Sequence, residues 1–432
     1  MLRRALTIVV ALGATLGLTN GLSSPVERTR FSTSYPAAVC PPSEAGVVSQ
    51  TSLTSSATLF RKVSGESTAL HPIKVLRYSG EGSAILLDQA AVTSVTWQGL
   101  SGVWAGATIC RAPQPDQWFV GGSANVLSKG RIYLVNSGLS VALVDVAIWN
   151  QKGTLAGKVY SLKANSTLKV ALDSMAAGSD RLVLRVTPRS GRVSAFLIEE
   201  RSQGLKNLGG DIVNPTDSPQ SDFIISGIPH QRKAGNGKAH VIRFLVPGSI
   251  GAHVRVDLIS TDGVFAPVGL DGVDIAPGMA TDIVLNPTIA STIFSLRVRS
   301  DQPIVAGVFS SLLVNGHTEM VWNATTPVLT PVTLAVRGLT PTLVFTGESI
   351  SVSISTHMTN GKIKNSRVSG RDIAAWKVPD GASAIDLASR GRPIFASAII
   401  SSTSGAAAFP ILPGSEITKA AIPSADISVI NR

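Results

Sequence analysis

The apolar and polar residues of this chain alternate in short runs, and one block of such runs occurs more than once. The block contains runs at 131–136, 142–149, 182–186 and 193–197. Each run has the length of a β-strand and is bounded by turn residues, of which Gly153 is the clearest. The pattern therefore predicts a set of antiparallel strands across this block.

The same order of runs returns further along the chain, at 242–247, 254–259, 294–298 and 305–309. Matching landmarks lie at a nearly constant distance: Tyr133 and Phe244 are 111 residues apart, and Leu184 and Leu296 are 112 apart. The turn residue Gly153 corresponds to Gly263 in the second copy. Such regular offsets predict an internal repeat, in which each copy forms one structural unit.

A third and more degenerate copy is predicted at 342–412, with strands at 343–347, 352–355, 394–400 and 406–411. The dipeptide Asn360-Gly361 between its second and third runs is a strong hairpin turn. No segment after Leu22 keeps a helical apolar period for more than about ten residues, so we expect few helices.

Each copy has about seven short strands, as immunoglobulin-like β-sandwiches have. We therefore predict an all-β protein of tandem immunoglobulin-like β-sandwich repeats with an N-terminal signal or anchor helix. A β-propeller is the rival fold, but its blades repeat about every 40 to 50 residues. A string of two to four sandwiches is favoured over one continuous multi-sheet body.

These patterns divide the chain into a signal peptide or membrane anchor at 1–22, a linker at 23–39, an N-terminal β domain with a disulfide at 40–127, β-sandwich repeat 1 at 128–202, a linker at 203–237, β-sandwich repeat 2 at 238–313, a linker at 314–341, the degenerate repeat 3 at 342–412 and a C-terminal tail at 413–432.

The composition narrows the class of protein. Hydrophobic residues make up 44% of the 432, which excludes general disorder, and charged residues are only 15%. The net charge is +11, but Lys and Arg are spread thinly, and the densest cluster is at 231–238. Because no basic helix or aromatic-interleaved patch occurs, nucleic acid is not an expected partner. The basic charge either aids solubility or gives a weak attraction to anionic envelope polymers.

The N-terminus has the layout of a secretory signal, with Arg3 and Arg4 before an apolar stretch at 5–22. That stretch is also just long enough to remain as a single membrane anchor. Residues 21–23 match a signal-peptide cleavage site only weakly, so both cleavage and retention as an anchor stay open. We expect an extracytoplasmic protein, either secreted or anchored in the cell membrane.

The chain has two cysteines, Cys40 and Cys110. In an exported protein two cysteines most simply form one disulfide. A reactive or metal-binding pair would need a neighbouring His or a C-x-x-C spacing, and neither is present. A structural disulfide is therefore predicted.

The residues that could carry chemistry do not form a known motif. The histidines are His71, His230, His240, His253, His317 and His357. His230 and His240 flank a Gly-rich loop that could bring them together, but exposed loop histidines are expected. No G-x-S-x-G, H-E-x-x-H, Walker or G-x-G-x-x-G motif occurs. We predict no catalytic residue, no metal, no cofactor and no enzymatic activity.

Three groups of polar residues have ordinary explanations. Glu199 and Glu200 are adjacent on a strand and should point to opposite faces. Asp262, Asp271 and Asp274 lack the ligand series of a calcium loop and are predicted to form turns. Asn165-Ser-Thr and Asn323-Ala-Thr fit the glycosylation pattern.

The order Cys110, then Pro-rich 112–115, then Trp-Phe-Val-Gly-Gly at 118–122, then a strand ending at Asn136, resembles an actinobacterial family of exported cell-envelope proteins without assigned function. The resemblance covers roughly 38–412. It implies an extracytoplasmic β protein and supplies no catalytic residues. Trp118 and Phe119 are predicted to plug the core beside the disulfide.

The favoured function is therefore a non-catalytic exported cell-envelope protein with a structural or interaction role. Its expected partner is a cell-wall polymer or an envelope protein, with membrane contact through the N-terminal segment if it is uncleaved. A carbohydrate-binding or adhesin-like module is the alternative, and it would need exposed, coplanar Trp97, Trp104 and Trp149. A β-sandwich hydrolase that joins Asp and His only in the folded chain is a third possibility.

Overall fold

Strands account for nearly all regular structure in this protein, as the alternating pattern predicts. The computed structural model describes residues 31–34, 37–54, 58–65, 67–73, 75, 77–79, 82–88, 92–231, 240–402, 405–412 and 417–420. Within them, the helix α1 (Asp173–Ala176) has only four residues. The predicted signal or anchor at 1–22 and the basic residues at 232–238 lie outside the described residues. No described helix has the length and apolar character needed to span a membrane.

The chain divides into two units, 1–35 with 416–432, and 36–415. In the first unit, β1 (Phe31–Ser34) pairs antiparallel with β32 (Ile417–Ala420). The predicted linker at 23–39 and tail at 413–432 each therefore contain a strand.

The larger unit has four groups of strands, which we call lobes A (37–111), B (117–213), C (220–323) and D (332–411). The strands of lobe A are β2 (Ala38–Cys40), β3 (Val48–Ser52), β4 (Leu59–Val63), β5 (His71–Pro72), β6 (Arg77–Ser79), β7 (Ala84–Asp88), β8 (Val92–Leu100) and β9 (Trp104–Ile109). One sheet has the order β2-β7-β4-β5, and in the other β8 lies between β3 and β9. The Cys40–Cys110 disulfide is present, which confirms that prediction.

Lobe B consists of β10 (Gln117–Val120), β11 (Arg131–Asn136), β12 (Ala142–Asn150), β13 (Gly153–Leu162), β14 (Ser166–Ala171), α1, β15 (Leu182–Ser190), β16 (Val193–Gln203) and β17 (Lys206–Val213). Its two four-stranded sheets have the orders β10-β15-β12-β13 and β14-β11-β16-β17. On β12, buried side chains alternate with exposed ones. The buried side chains of both sheets form one core, as in a sandwich.

Lobe C consists of β18 (Gln220–Pro229), β19 (His240–Leu245), β20 (Ala252–Ser260), β21 (Gly263–Phe265), β22 (Asp271–Ile275), β23 (Thr281–Leu285), β24 (Ile293–Val314) and β25 (His317–Asn323). The sequence predicts two strands at 294–298 and 305–309, but β24 is one strand of 22 residues. Its first half pairs with β18 and β20 and its second half with β19 and β25, so one strand serves both halves of the lobe.

Lobe D consists of β26 (Val332–Ala335), β27 (Thr342–Met358), β28 (Ile363–Lys377), β29 (Ala382–Ser389), β30 (Phe395–Ser402) and β31 (Gly405–Pro410). The predicted hairpin turn at Asn360-Gly361 connects β27 and β28. β26 pairs in parallel with β8, so the sheets of lobes A and D are continuous over ten strands.

The four lobes pack in a closed order, A to B to C to D and back to A. The cores between successive lobes contain large side chains from both, such as Trp104 and Tyr133 between A and B, Phe119 and Trp322 between B and C, Ile224 and Ile399 between C and D, and Val95 and Leu334 between D and A. The expected string of separate sandwiches is therefore wrong. The lobes form one continuous multi-sheet body because neighbouring lobes share their buried apolar side chains.

At the centre of this body the edge strands β9, β17, β25 and β31, one from each lobe, all contact one another. Two of them lie in segments predicted as linkers, 203–237 and 314–341, which also contain β18 and β26. Gly-rich sequence such as Gly209-Gly210 suggested flexible connections. It instead reflects the close approach of the backbones at this centre.

The disulfide gives a direct test of how the first lobe is held. Replacing both Cys40 and Cys110 with alanine should lower the free energy of unfolding by up to about 4 kcal/mol, because the bond restricts a long loop in the unfolded chain. Urea denaturation of the oxidised protein and of the variant measures this difference. Reductant should shift the midpoint of the wild type and leave the variant unchanged. Equal midpoints for wild type and variant would contradict the prediction.

Candidate functional site

The centre of the molecule holds the most strongly perturbed acidic groups, so it is the first candidate site. Glu319 on β25 accepts hydrogen bonds at Oε1 from the backbone N–H groups of Gly210 (2.9 Å) and Met320 (3.0 Å). Asp211 on β17 accepts at Oδ2 from the N–H of Trp322 (2.7 Å). The two carboxyl groups thus bind backbone amides of each other's strands, and they connect β17 to β25 reciprocally.

Asn214, just after β17, connects three of the central strands in the same manner. Its Nδ2 donates to the carbonyl oxygens of Ala107 (2.9 Å) and Ala408 (3.1 Å). Its Oδ1 accepts from the hydroxyl of Thr108 (2.7 Å). The Asn214 side chain therefore supplies hydrogen bonds between β9, β17 and β31 in place of a β-ladder.

A third carboxyl group, Glu199 on β16, lies beside the same centre. It accepts from Ser123 Oγ (2.5 Å), Arg201 Nε (2.9 Å) and Trp322 Nε1 (2.9 Å). Its neighbour Glu200 instead bonds Arg131. The prediction that these two glutamates point to opposite faces is confirmed.

The backbones meet so closely here that side chains are excluded at two positions. A Cβ on Gly209 would collide with Glu319 Oε1 and the backbone of Met320, and Gly209 also has φ +94°. A Cβ on Gly405 would collide with Glu319 Oε2. Glycine is required at both positions so that the Glu319 carboxyl group can reach the strands around it.

The charge states of the three carboxyl groups differ because their surroundings differ. Burial raises the pKa of Glu319 to about 8, although the amides of Gly210, Met320 and Ala105 favour its charged form. Burial, together with the charges of Glu319 and Glu199, raises the pKa of Asp211 well above its ordinary value. For Glu199, Arg201 and the hydrogen bonds outweigh burial, so its pKa is lowered.

A perturbed acid in a cleft is a catalytic candidate, but this group is not in a cleft. Glu199, Asp211 and Glu319 are each 0% exposed. Backbone amides hold Asp211 and Glu319 in place, and the side chains of Ser123, Arg201 and Trp322 hold Glu199. We conclude that the central carboxyl groups connect lobe B to lobe C.

A second buried group is a chain of His230, His240 and Ser310. His230 Nδ1 lies 3.0 Å from His240 Nε2, and His240 Nδ1 lies 2.9 Å from Ser310 Oγ. The two histidines therefore lie close together, as the sequence analysis allowed. They are not exposed loop residues, however, because β18 and β19 carry them into the core against the Phe294 ring.

Burial, with His230 beside it, lowers the pKa of His240 to about 3. His240 is therefore neutral, and the order Ser–His–His has the arrangement of a nucleophile and its base. Ser310 is 0% and His240 1% exposed, so no substrate reaches them in this conformation. No group of three or more metal-binding His, Cys, Asp or Glu side chains occurs among the described residues.

Two exposed Asp–His pairs also bear on the hydrolase alternative. His253 bonds Asp274 (2.9 Å), and His357 bonds Asp386 (2.6 Å). Near the second pair, Thr333 Oγ1 donates to Asp386 (2.7 Å). The acid therefore lies between the hydroxyl and the imidazole, which is not the order in which His activates a nucleophile.

The tryptophans do not form the platform that sugar binding requires. Trp97 and Trp149 are 8% exposed and Trp104 is 0% exposed, so they do not meet the condition that the carbohydrate-binding alternative sets. Trp149 stacks on Trp118 with ring centroids 5.4 Å apart. Trp118 and Phe119 are buried as predicted, but in lobe B and not in the cluster around the disulfide.

The remaining polar candidates take structural roles. Asp262 accepts from the backbone N–H of Ala290 (2.7 Å), and Asp271 pairs with Arg255 (2.9 Å). Asn165 and Asn323 are 2% and 5% exposed, so neither glycosylation sequence is accessible in the folded protein.

An open cleft between lobes C and D is a candidate site for binding another molecule. Its volume is about 460 Å³. The apolar part of its lining is Phe223, Ile224, Ile259, Val264, Pro393 and Phe395. The charged part is Asp222, Asp257, Arg297, Glu348, Asp372 and Arg392. A cavity with an apolar floor and a few fixed polar groups is typical of binding sites.

Lobes C and D each contribute paired charges to this cleft. Arg297 on β24 makes a two-point contact with Asp222 on β18, at 3.0 Å and 2.7 Å. That bond raises the pKa of Arg297, and the charges of Asp257 and Glu348 add to the effect. Glu348 on β27 in turn pairs with Arg392. The lining therefore contains two arginine–carboxylate pairs and two further carboxylates, Asp257 and Asp372.

A β-bulge shapes the lobe D wall of the cleft. The β27–β28 ladder shifts register between Gly347 and Ile350. Asp372, opposite Gly347, has a left-handed backbone with φ +64°. Bulges commonly lie beside binding sites because they redirect side chains, here Glu348 and Asp372.

Sequence reasoning missed both the central carboxyl groups and the cleft. Glu199 and Asp211 lie in strands with apolar neighbours in the sequence, and this apolar context is the signal that could have indicated their burial. The cleft residues come from segments as distant as 222 and 395, and only the packing of lobe D on lobe C joins them.

The central carboxyl groups predict an unusual pH dependence. The folded protein keeps a proton on Glu319 up to pH about 8, whereas the unfolded chain releases it near its ordinary value. The free energy of unfolding should therefore fall as pH rises through this range, by up to about 1.4 kcal/mol per pH unit. His240 acts in the opposite direction and only below its ordinary pKa, so urea denaturation between pH 6.5 and 8 isolates the carboxyl groups.

Glu319→Gln should make this slope shallower, while the matched variant at the exposed Glu348, Glu348→Gln, should not. An unchanged slope in Glu319→Gln would show that Glu319 is ionised in the folded state.

Comparisons with known proteins place the chain in a family without indicating an activity. A Thermotoga maritima protein, 1070, is 11% identical, with 25% of this chain and 93% of that chain covered and a TM-score of 0.21. A tetra-tandem repeat from the extending region of a large adhesion protein is 9% identical over 90% of this chain and 95% of that one, with a TM-score of 0.13. An anti-sigma factor domain-containing protein from Clostridium clariflavum is 9% identical over 84% and 97%, also with a TM-score of 0.13. Scores this low support no conclusion about fold or function.

No curated protein matches the sequence. Residues 63–375 match a family of unknown function, DUF5719. Because that match covers most of the chain, the protein belongs to the DUF5719 family.

Proposed function

We propose that this protein is a non-catalytic, exported cell-envelope protein that holds a segment of another envelope protein in the cleft between lobes C and D. The observation that carries the proposal is the cleft itself, with its apolar floor and its paired charges. It lies where two lobes of a continuous body meet, and such junctions are preferred binding sites.

The charge pattern of the cleft favours a polypeptide over an anionic polymer. Arg297 and Arg392 already have carboxylate partners, so neither offers a free cation to a polyanion. The apolar floor fits an aliphatic or aromatic side chain flanked by both charge signs. A cell-wall polymer is the second candidate, and the net charge of +11 favours it.

Two features support export. The N-terminal sequence has the layout of a signal or anchor. Cys40 and Cys110, the two cysteines of the chain, form a disulfide, which is typical of proteins outside the cytoplasm. Both features are consistent with an exported actinobacterial envelope protein.

We also propose that lobes B and C are copies of one immunoglobulin-like sandwich. β11 lies between β14 and β16, and β19 lies between β23 and β24. Gly153 and Gly263, at the matching hairpin turns, both have positive φ. Lobe D is the degenerate third copy, which forms the far wall of the cleft.

Cell fractionation tests export. We expect the native protein outside the cytoplasm with its disulfide formed, because the N-terminal sequence directs it there. Mass spectrometry of the N-terminus then separates a secreted form that starts near residue 24 from an anchored form that keeps Met1. A cytosolic protein with reduced cysteines would contradict the proposal.

Photo-crosslinking in the native cells tests the cleft. Val264 lines the cleft and is 51% exposed, so a photoreactive amino acid there should give a discrete crosslinked partner. Val126, which is fully exposed in lobe B, is the matched control position. Arg392→Glu should reduce the product by reversing the charge at the rim. Equal yields from both positions, or a product that Arg392→Glu does not change, would contradict the proposal.

A further inference from the structure

One end of lobe B presents large apolar side chains to solvent. In the loop between β11 and β12, Leu139 is 71% and Val141 58% exposed. Leu143 and Val159, on the adjoining strands β12 and β13, are 40% and 56% exposed. We call these four residues the lobe B tip. They come from one loop and from the two strands that adjoin it.

The loop is held in place from below, so the exposure of Leu139 and Val141 belongs to a fixed conformation. Asn136 is 0% exposed. Its Nδ2 donates to the carbonyl oxygens of Ser140 (2.8 Å) and Lys163 (2.9 Å), and its Oδ1 accepts from the N–H of Gly138 (2.9 Å). A fixed apolar tip needs no ordering when it binds, which favours association.

Two cationic side chains, Lys163 and Arg192, lie beside the tip. The Ser137 N–H donates to the Arg192 carbonyl oxygen (2.9 Å), and the Asn165 N–H donates to that of Gly138 (2.9 Å). These bonds place the loops that carry Lys163 and Arg192 directly beside the apolar residues. Both side chains are exposed, and neither makes an ion pair within the described part of the chain.

A third cation lies beneath the loop. Arg61 Nη2 donates to the Ser137 carbonyl oxygen (2.6 Å), and this side chain has no carboxylate partner among the described residues. The acidic residue of the neighbouring face, Asp145, is paired with Arg189 (2.6 Å). This end of lobe B therefore has uncompensated positive charge around an apolar surface.

We propose that the lobe B tip docks on an anionic phospholipid bilayer. Leu139 and Val141 enter the headgroup region, while Lys163 and Arg192 contact lipid phosphates. An exposed apolar surface flanked by cations is the arrangement by which peripheral proteins bind anionic membranes. The exposed aliphatic side chains favour a bilayer over a polar wall polymer. The proposal does not depend on the function of the cleft.

The test must report the environment of the tip itself, because the apolar segment at 5–22 would bind vesicles in any case. In the full-length protein with its disulfide intact, Leu139→Cys labelled with a polarity-sensitive dye provides that report. With vesicles containing phosphatidylglycerol, the emission should shift to the blue and intensify. Pure phosphatidylcholine vesicles should produce no such change, and added salt should weaken the response.

Two matched variants complete the test. Val268→Cys carries the same dye at a fully exposed valine on a loop without cations, and its emission should not change. Lys163→Glu with Arg192→Glu, in the Leu139→Cys background, should weaken the apparent binding by about tenfold or more. An unchanged emission at position 139, or equal responses on the two kinds of vesicle, would overturn the proposal.

Discussion

The structure depends on how four buried strand edges are satisfied. β9, β17, β25 and β31 each end a sheet, so one side of each backbone has no ladder partner among the described strands. Their free edges face one another where water does not reach, and unpaired backbone groups there would cost about 1–3 kcal/mol each. Glu319, Asp211 and Asn214 supply the missing hydrogen bonds. The closed arrangement of lobes is possible because these side chains replace backbone ladders.

That solution has an electrostatic cost, which the protein reduces by protonation. Asp211 and Glu319 are enclosed with Glu199, and three negative charges so close together in an apolar interior would repel strongly. Burial raises the pKa of both Asp211 and Glu319, and the neighbouring carboxylates add to the shift of Asp211, whereas Arg201 keeps Glu199 charged. A protonated carboxyl group still accepts hydrogen bonds from backbone amides. The centre therefore keeps its connections while it carries less charge.

Sequence reasoning predicted the local elements because their signals are local. The run at 131–136 coincides with β11, and the turns at Gly153 and Asn360-Gly361 connect strands as expected. The disulfide followed from the cysteine count and the export signal. The inner strands were missed because their residues are small or polar: β17 contains Gly209 and Gly210, which read as a linker. Their conformation depends on neighbouring strands from other lobes, so the apolar and polar pattern of a single segment does not predict it.

The cleft follows from the same constraint, and for that reason it was not predictable. β25 and β31 contact each other at the central junction, which joins lobe C to lobe D, and Arg297 on β24 and Glu348 on β27 line the cleft from the two lobes. The shared apolar side chains around Ile224 and Val344 complete that seam beneath the cleft floor. The contacts at the centre and this seam together hold the two walls of the cleft in place, although the central carboxyl groups and the cleft share no residue.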